Sequence, residues 1–177
     1  AVVLRKRLTG HYANLDPNYK TMLKAEILQI LAHEGERSVR NGMVGVAAAI
    51  AKLECTAGGT SWPELFQFLA AAAAHQDPMA RELAFSLLSE MTETVYTHLK
   101  DQFQPIAGLF QTVFSNQQES PAVQKAAVQA LGQLLSFLAD DAEVQVFAYL
   151  IPAILHVASQ HASDDEDLVA VVLDVLY

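Results

Sequence analysis

Residues 123–134 read VQKAAVQALGQL, and their apolar side chains recur at the spacing of a single helix face. The residues that share this face are Val123, Ala127, Ala130, Leu131 and Leu134. Gaps of three and four residues between apolar positions are typical of an amphipathic α-helix with one buried side. The stretch therefore predicts a helix that packs this face against neighbouring elements.

Two other stretches align with this one without gaps when Arg40, Arg81 and Gln124 are superposed. Arg81 follows Arg40 by 41 residues, and Gln124 follows Arg81 by 43 residues. We call these three the reference positions. Residues three, six, seven and ten positions further on are apolar in every copy: Met43, Ala84 and Ala127; Val46, Leu87 and Ala130; Ala47, Leu88 and Leu131; Ile50, Met91 and Leu134. Three helices with one common buried face are therefore predicted.

A column of small residues lies eight positions past the reference, at Ala48, Ser89 and Gly132. Small side chains at one register predict that a neighbouring helix approaches closely there. A period of about 40–47 residues built from helix pairs is typical of HEAT and armadillo repeats. The stretch 123–134 also matches the HEAT second-helix pattern V-R-x-x-A-x-x-A-L-G-x-L, except that Gln124 replaces the arginine.

Capping patterns predict where the helices begin. Asp16-Pro17, Asp77-Pro78 and Ser120-Pro121 each place a capping residue before a proline, which is tolerated at the first helical position. We expect helices from these points, from Ser61-Trp62-Pro63 after a loop at 57–60, and from Asp140 or Asp141. Val95–Lys100 is predicted as a separate, weaker helix or turn. Pro152 is expected to kink or split the helix that contains it.

The predicted fold class is therefore all-α, an α–α superhelix of about four to five HEAT helix pairs that is truncated at both ends. The expected units are residues 1–15, 16–57, 58–101, 102–139 and 140–177, the first and last incomplete. Glu166 and Ala170 are the two candidates for the reference position of the last unit. Because cut ends leave apolar faces uncovered, self-association of the chain is expected.

Composition limits the function classes. Hydrophobic residues make up 52% of the chain, but no long apolar run lacks polar breaks, so a membrane span is not expected. The 20 acidic and 11 basic residues give a net charge of −9, which disfavours direct nucleic-acid binding and favours basic protein partners. The single cysteine, Cys55, excludes an intrachain disulfide.

No catalytic or cofactor-binding motif is present in the sequence. It lacks a P-loop, G-x-G-x-x-G, H-E-x-x-H and C-x-x-C. His156 and His161, the closest pair of histidines, are five residues apart, which is a poor spacing for metal ligands on one helix face. Asp164–Asp167 could bind a cation or a basic peptide, although a solvated helix start is the simpler interpretation. We therefore expect no enzyme activity, cofactor or metal.

Several motifs together resemble the N-terminal repeats of importin-β-type nuclear transport receptors, and in particular the importin-four subgroup. They are Leu4–Leu8 at the end of a first helix, the Tyr12 linker, the 16–31 helix, Ser61-Trp62-Pro63-Glu64-Leu65 and Leu150-Ile151-Pro152. The family carries W-P-x-L and L-V-P at the last two places. Tyr12 departs from the pattern, because many members carry Trp in this linker.

This resemblance implies a receptor that shuttles between cytoplasm and nucleus. Its implied partners are Ran-GTP on the concave second helices, FG-repeat nucleoporins between the outer helices, and basic cargo such as histones or ribosomal proteins. The alternative is a HEAT scaffold of another complex, such as a phosphatase regulatory subunit, a condensin-type subunit or a coat adaptor. The two share a fold, so fold alone does not separate them.

The candidate partner-binding residues are polar positions of the second helices. One position past the reference lie Asn41, Glu82 and Lys125, and twelve positions past it lie Lys52, Glu93 and Ser136. In a HEAT solenoid these columns form stripes on the concave wall, so they are predicted to face a partner; plain solvation is the equal alternative. Arg40 and Arg81 are expected to tie adjacent repeats together.

Overall fold

The structure, a computed structural model, describes residues 2–56, 62–163 and 165–176. Within these ranges it contains ten α-helices and no β-strand. The helices are α1 (Val2–His11), α2 (Pro17–His33), α3 (Arg37–Thr56), α4 (Pro63–Ala73), α5 (Pro78–Leu99), α6 (Phe103–Ser115), α7 (Pro121–Leu135), α8 (Asp141–Ala148), α9 (Ile151–His161) and α10 (Glu166–Leu176). The predicted all-α class is confirmed.

The helices form two layers. The second helices α1, α3, α5, α7 and α10 each contact the next one in the series. The first helices α2, α4, α6 and α9 pack on α3, α5, α7 and α10 respectively, and α6 also contacts α8 and α9 of the next pair. This is the side-by-side stacking of helix pairs expected of a HEAT solenoid.

Aspartate side chains cap the helices where the sequence predicts them. The Asp16 carboxylate accepts a hydrogen bond from the Asn18 backbone N–H at 2.8 Å, and Asp77 accepts one from Met79 at 2.9 Å. Asp140 caps α8 in the same way. Ser120 stands at its predicted cap position but makes no side-chain capping bond. The predicted loop at 57–60 and the cap at Ser61 lie outside the described residues.

Two predictions about helix continuity have different outcomes. The separate element at Val95–Lys100 is wrong, because α5 continues without a break to Leu99. Val95 and Leu99 are 0% and 3% exposed, so tertiary packing holds this last part of the helix. The break at Pro152 is confirmed, since α8 and α9 meet at an angle of 49° and Pro152 lies in the first turn of α9.

The apolar columns form the core. All twelve residues of the four predicted columns are buried, with exposures of 7% or less. Ile30 of α2 and Val39 of α3, whose spacing from neighbouring apolar residues also predicts an inward position, are instead 37% and 45% exposed. α2 packs mainly on α3, and Val39 lies in the first turn of α3.

The small column marks a close approach, as predicted. A Cβ atom placed on Gly132 would lie 2.6 Å from Cγ2 of Val175 in α10. Such a distance is well below van der Waals contact, so α7 and α10 approach each other here only because residue 132 has no side chain.

Backbone hydrogen bonds fix the register of the last second helix. The N–H groups of Arg40, Arg81 and Gln124 each donate to the carbonyl of the residue that precedes the helix, four residues earlier. In α10, which begins at Glu166, the equivalent bond runs from the Val169 N–H to the Asp165 carbonyl at 3.2 Å. By this criterion the equivalent position is Val169, one residue before the candidate Ala170.

The reference side chains link the loops of neighbouring pairs. Arg81 donates from Nε and one Nη to Glu119 of the next loop at 2.9 and 2.7 Å, and to the carbonyls of His75 and Gln76 at 2.6 and 2.8 Å. Nε2 of His161 lies 2.7 Å from the side-chain oxygen of Gln124. The expected tie between repeats is confirmed for Arg81.

Glu143 of α8 anchors a second link, which joins non-adjacent pairs. Its carboxylate accepts hydrogen bonds from Tyr96 of α5 and from the Ala139 backbone N–H, the latter at 2.7 Å, and lies 2.6 Å from Lys100 Nζ. The Ala139 N–H bond, with the contacts from Lys100 and Tyr96, lowers the pKa of Glu143 to about 2. A solenoid unit ordinarily contacts only its neighbours, so this link stiffens three successive pairs.

Aromatic rings surround the Glu143 link. The ring of Tyr96 lies 5.9 Å from that of Phe103 and 6.3 Å from that of Phe137, measured between centroids. Phe103 in turn meets Phe147 of α8 edge-on at 5.4 Å. These contacts bury the hydrocarbon side of the link and are worth roughly 0.5–1.5 kcal/mol per pair beyond area burial.

We expect Glu143→Gln to change how stability depends on pH. A carboxyl whose pKa is depressed by folding stabilises the protein above its ordinary pKa of 4.5, and that contribution disappears as pH falls towards 2. The stability difference between wild type and Glu143→Gln should therefore be largest near neutral pH and shrink through that window. Urea unfolding at several pH values measures it.

Glu90→Gln is the matched control for the loss of one negative charge, because Glu90 is exposed and lies on the same helix as Tyr96. A difference between wild type and Glu143→Gln that stays constant from neutral to acid pH would show that Glu143 makes no such link.

Candidate protein-binding surface

The column one position past the reference links neighbouring second helices. Glu82 of α5 forms an ion pair with Arg37 of α3. Lys125 Nζ of α7 lies 3.6 Å from the carboxylate of Asp167 in α10. Asn41, the third predicted residue of this column, is exposed. Two of the three predicted contact residues thus already serve as partners within the chain.

The column twelve positions past the reference is open to solvent. Lys52 and Glu93 are both exposed, as is Ser136. Their role as partner contacts stays a prediction. Lys52 lies on α3 and Glu93 on α5, so both belong to the layer of second helices, together with Asn41, Glu82 and Lys125.

Three further exposed residues on this layer were missed by the sequence reasoning. They are Glu90 and Gln133, each nine positions past a reference residue, and Asp174 of α10. Gln133 and Asp174 line a groove of about 370 Å³ together with Gly132 and Val175. Adding the column nine positions past the reference would have found Glu90 and Gln133. Asp174 lies in α10, whose register the sequence left open.

The exposed charge on α5 and α10 of this layer is acidic. Glu90, Glu93 and Asp174 are exposed and form no ion pair with another described residue, whereas the exposed bases of the layer lie on α1 and α3: Lys6, Arg7, Arg37 and Lys52. Several unscreened carboxylates on one wall create a negative potential that attracts cationic partners. The layer is therefore suited to binding a basic protein surface.

The layer of first helices carries an apolar groove, which we call the outer groove. It lies between α4 and α6 and has a volume of about 390 Å³. Its walls are mostly hydrophobic: Phe66, Leu69, Ala70, Leu99, Ile106 and Leu109, with Pro63 and Pro105. A concave, mainly apolar site of this size is typical of a pocket for a hydrophobic side chain.

The described residues offer little for covalent or metal chemistry. They contain no group of three or more His, Cys, Asp or Glu placed to hold a metal ion. Cys55 is half-buried, and burial with the nearby Glu54 carboxylate raises the pKa of its thiol, which disfavours the nucleophilic thiolate. A packed thiol fits this environment better than a nucleophile.

Membrane insertion has limited support. Among the described residues, no individual helix has the length and apolar character needed to cross a bilayer. The bent pair α8–α9 satisfies both requirements when its two helices are taken together.

Comparison with known protein families gives a match over most of the chain. Residues 35–176 match the family model described as IPO5-like, TPR repeats. The reference positions are 41–43 residues apart, which is longer than the about 34 residues of a TPR unit and within the HEAT range.

Individual relatives agree with the family model. A probable importin subunit beta-4 from Schizosaccharomyces pombe is 33% identical over 95 residues, which cover 54% of this chain and 9% of the relative. Crystal structures of Kap121p bound to Nup53p and to Pho4p superpose with a TM-score of 0.79 at 22% identity, over 99% of this chain and 16% of Kap121p.

The structural match establishes the HEAT-repeat solenoid, and the chain spans only a small part of the length of these relatives. The family model covers 35–176, which includes four of the five second helices and all of the candidate surface. This chain therefore belongs to the importin-β family of nuclear transport receptors.

Proposed function

We propose that this chain is the part of a nuclear import receptor that binds Ran-GTP through its layer of second helices. The receptor would carry basic protein cargo through the nuclear pore and shuttle between cytoplasm and nucleus. The observation that carries the proposal is the family match over residues 35–176, combined with a continuous layer of second helices in which α5 and α10 expose acidic side chains. The family and fold are those of transport receptors, which are not enzymes.

Electrostatics support a basic partner on this layer. The chain carries a net charge of −9, and Glu90, Glu93 and Asp174 are exposed there. Complementary charge raises the association rate and selects against partners of the wrong sign. Asn41, Lys52, Glu82, Glu93 and Lys125 are the residues we propose to contact Ran-GTP.

The ion pairs on the layer would couple the binding of a partner to the stacking of the second helices. A partner that contacts Glu82 or Lys125 competes with Arg37 or Asp167, and these pairs join successive second helices. Binding of Ran-GTP would thus change the spacing of the helix pairs on which cargo depends. Two ligands that favour different spacings of one stack oppose each other's binding.

The outer groove supports a nucleoporin contact. Kap121p has been crystallised with Nup53p, and the proposed partner here is an FG-repeat nucleoporin. The groove between α4 and α6 presents Phe66, Leu69 and Leu109 to an incoming side chain. A phenylalanine would bury its ring there at little conformational cost, because it has only two rotatable bonds.

We expect the chain to bind Ran loaded with a GTP analogue at least about tenfold more tightly than Ran-GDP. Glu93→Lys should weaken that complex about three- to tenfold, because it reverses a charge on the proposed contact surface. A pull-down followed by titration of a fluorescently labelled nucleotide complex measures both effects.

Glu26→Lys is the matched control, since Glu26 is an exposed glutamate on α2 in the other layer. Its complex should keep wild-type affinity. Equal binding of the two nucleotide states, or an equal loss with Glu26→Lys, would contradict the proposed Ran surface.

We expect Ala70→Glu to abolish binding of an FG-repeat peptide at the outer groove. Ala70 is exposed and lines the groove, so the new carboxylate would stand where the phenylalanine ring binds without disturbing the core. Gln67→Glu places the same charge on the same helix outside the groove and should bind normally. Fluorescence anisotropy with a labelled FG peptide distinguishes the two; identical affinities would exclude this groove.

A further inference from the structure

The joint between α2–α3 and α4–α5 lacks an acidic partner that the next joint has. At that next joint, Glu119 lies five residues before the reference position and makes two hydrogen bonds to Arg81, at 2.9 and 2.7 Å. Glu119 itself is 8% exposed. The equivalent residue one unit earlier, five residues before Arg81, is Gln76, which is exposed. Among the described residues, no carboxylate therefore pairs with Arg40 as Glu119 pairs with Arg81.

Arg40 is buried without an acidic partner. It is 5% exposed, and its hydrogen bond within the described chain runs from Nη1 to the Glu34 carbonyl at 3.2 Å. It forms no ion pair with any described residue. A guanidinium has five N–H donors, and burying its charge is unfavourable unless an anion accepts from them. Among the described residues no buried nitrogen of Arg40 lacks a hydrogen-bond partner, so the N–H groups that the chain leaves unbonded are open to solvent.

Arg40 lines a groove between two loops, which we call the edge groove. The groove lies between the α2–α3 loop and the α4–α5 loop and has a volume of about 380 Å³. Its apolar lining includes Leu31, Phe68, Ala72 and Leu83. The groove is mainly apolar and also holds the guanidinium of Arg40 and the carboxylates of Glu34 and Asp77, and a mostly apolar cleft with a few polar groups is the general form of a binding pocket.

Two acidic residues, Glu34 and Asp77, also line the edge groove, but neither forms an ion pair with Arg40. Glu34 accepts a hydrogen bond from the Glu36 backbone N–H at 2.8 Å, and Asp77 accepts one from the Met79 N–H at 2.9 Å. Both carboxylates are thereby held by local backbone, and neither pairs with Arg40.

We propose that the edge groove binds an acidic peptide segment of a partner protein. An aspartate or glutamate of that segment pairs with Arg40 as Glu119 pairs with Arg81, through parallel hydrogen bonds to the guanidinium. An apolar residue beside it packs against Leu31 and Phe68. The site does not rest on the transport function, since it uses another surface and a partner of opposite charge.

The test is a titration of the 177-residue chain, isotopically labelled, with the peptide acetyl-Leu-Glu-Leu-amide and with its counterpart that carries Gln instead of Glu. Amide signals of the two loops and of the helix ends beside them, residues 31–35 and 75–83, should shift and saturate with the Glu peptide. The Gln peptide should bind at least about tenfold more weakly, because it lacks the charge. Equal affinities, or shifts that never saturate, would overturn the proposal.

Arg40→Gln should lose at least about tenfold in affinity for the Glu peptide. Glutamine is compatible with this position, because Gln124 occupies the same place in a later unit and is 1% exposed. Arg37→Gln removes an exposed arginine one turn away and should bind normally. Unchanged affinity in Arg40→Gln would contradict the proposal, as would binding of inorganic phosphate at these signals without binding of the Glu peptide. The two wild-type titrations decide the question even if Arg40→Gln does not fold.

Discussion

The whole structure depends on the burial of one helix face against the next at a fixed spacing along the chain. Each second helix hides its apolar columns between two neighbours, and small residues such as Gly132 allow the close approach. A single pair has too little apolar surface to be stable alone, so stability comes from stacking. Every other feature of the molecule follows from repetition of this contact.

The repeated stacking also brings polar side chains of neighbouring units into contact. Because units stack in register, the reference residue of one second helix faces a residue that precedes the next second helix, 37–38 residues further along the chain. Arg81 and Glu119 are one such pair, and Gln124 and His161 are another. No described acidic residue pairs with Arg40 in this way, and Arg40 lines the edge groove.

The sequence predicts the parts of this fold that depend on local chemistry. Asp16 and Asp77 begin helices because a carboxylate and a following proline satisfy the first turn, whatever surrounds them. The apolar columns of α3, α5 and α7 are also predicted, because the spacing of apolar residues alone identifies the buried face of a helix. The end of α5 was missed because Val95 and Leu99 are separated by polar residues, and only packing against later helices holds that turn. The register of α10 was missed because its acidic start, unlike the prolines of the earlier units, marks no position.

The candidate surface was predicted only in part. Column alignment identified which residues of the second helices point away from the core, but it could not show that Glu82 and Lys125 pair with Arg37 and Asp167. Those contacts join different helices and exist only after stacking. The outer groove and the edge groove could not be predicted from the sequence either, because each is formed by residues from two units.

The most direct test of the stacked arrangement is a set of distances between the starts of successive second helices. Spin labels at Asn41, Lys125 and Glu166, in a chain with Cys55 replaced, can be measured by pulsed electron resonance. Neighbouring helix axes pack about 8–10 Å apart, so the account predicts separations of roughly 20 Å from Asn41 to Lys125 and roughly 30 Å from Asn41 to Glu166. A distance from Asn41 to Glu166 no longer than that between adjacent helices would mean a closed bundle, and would contradict it.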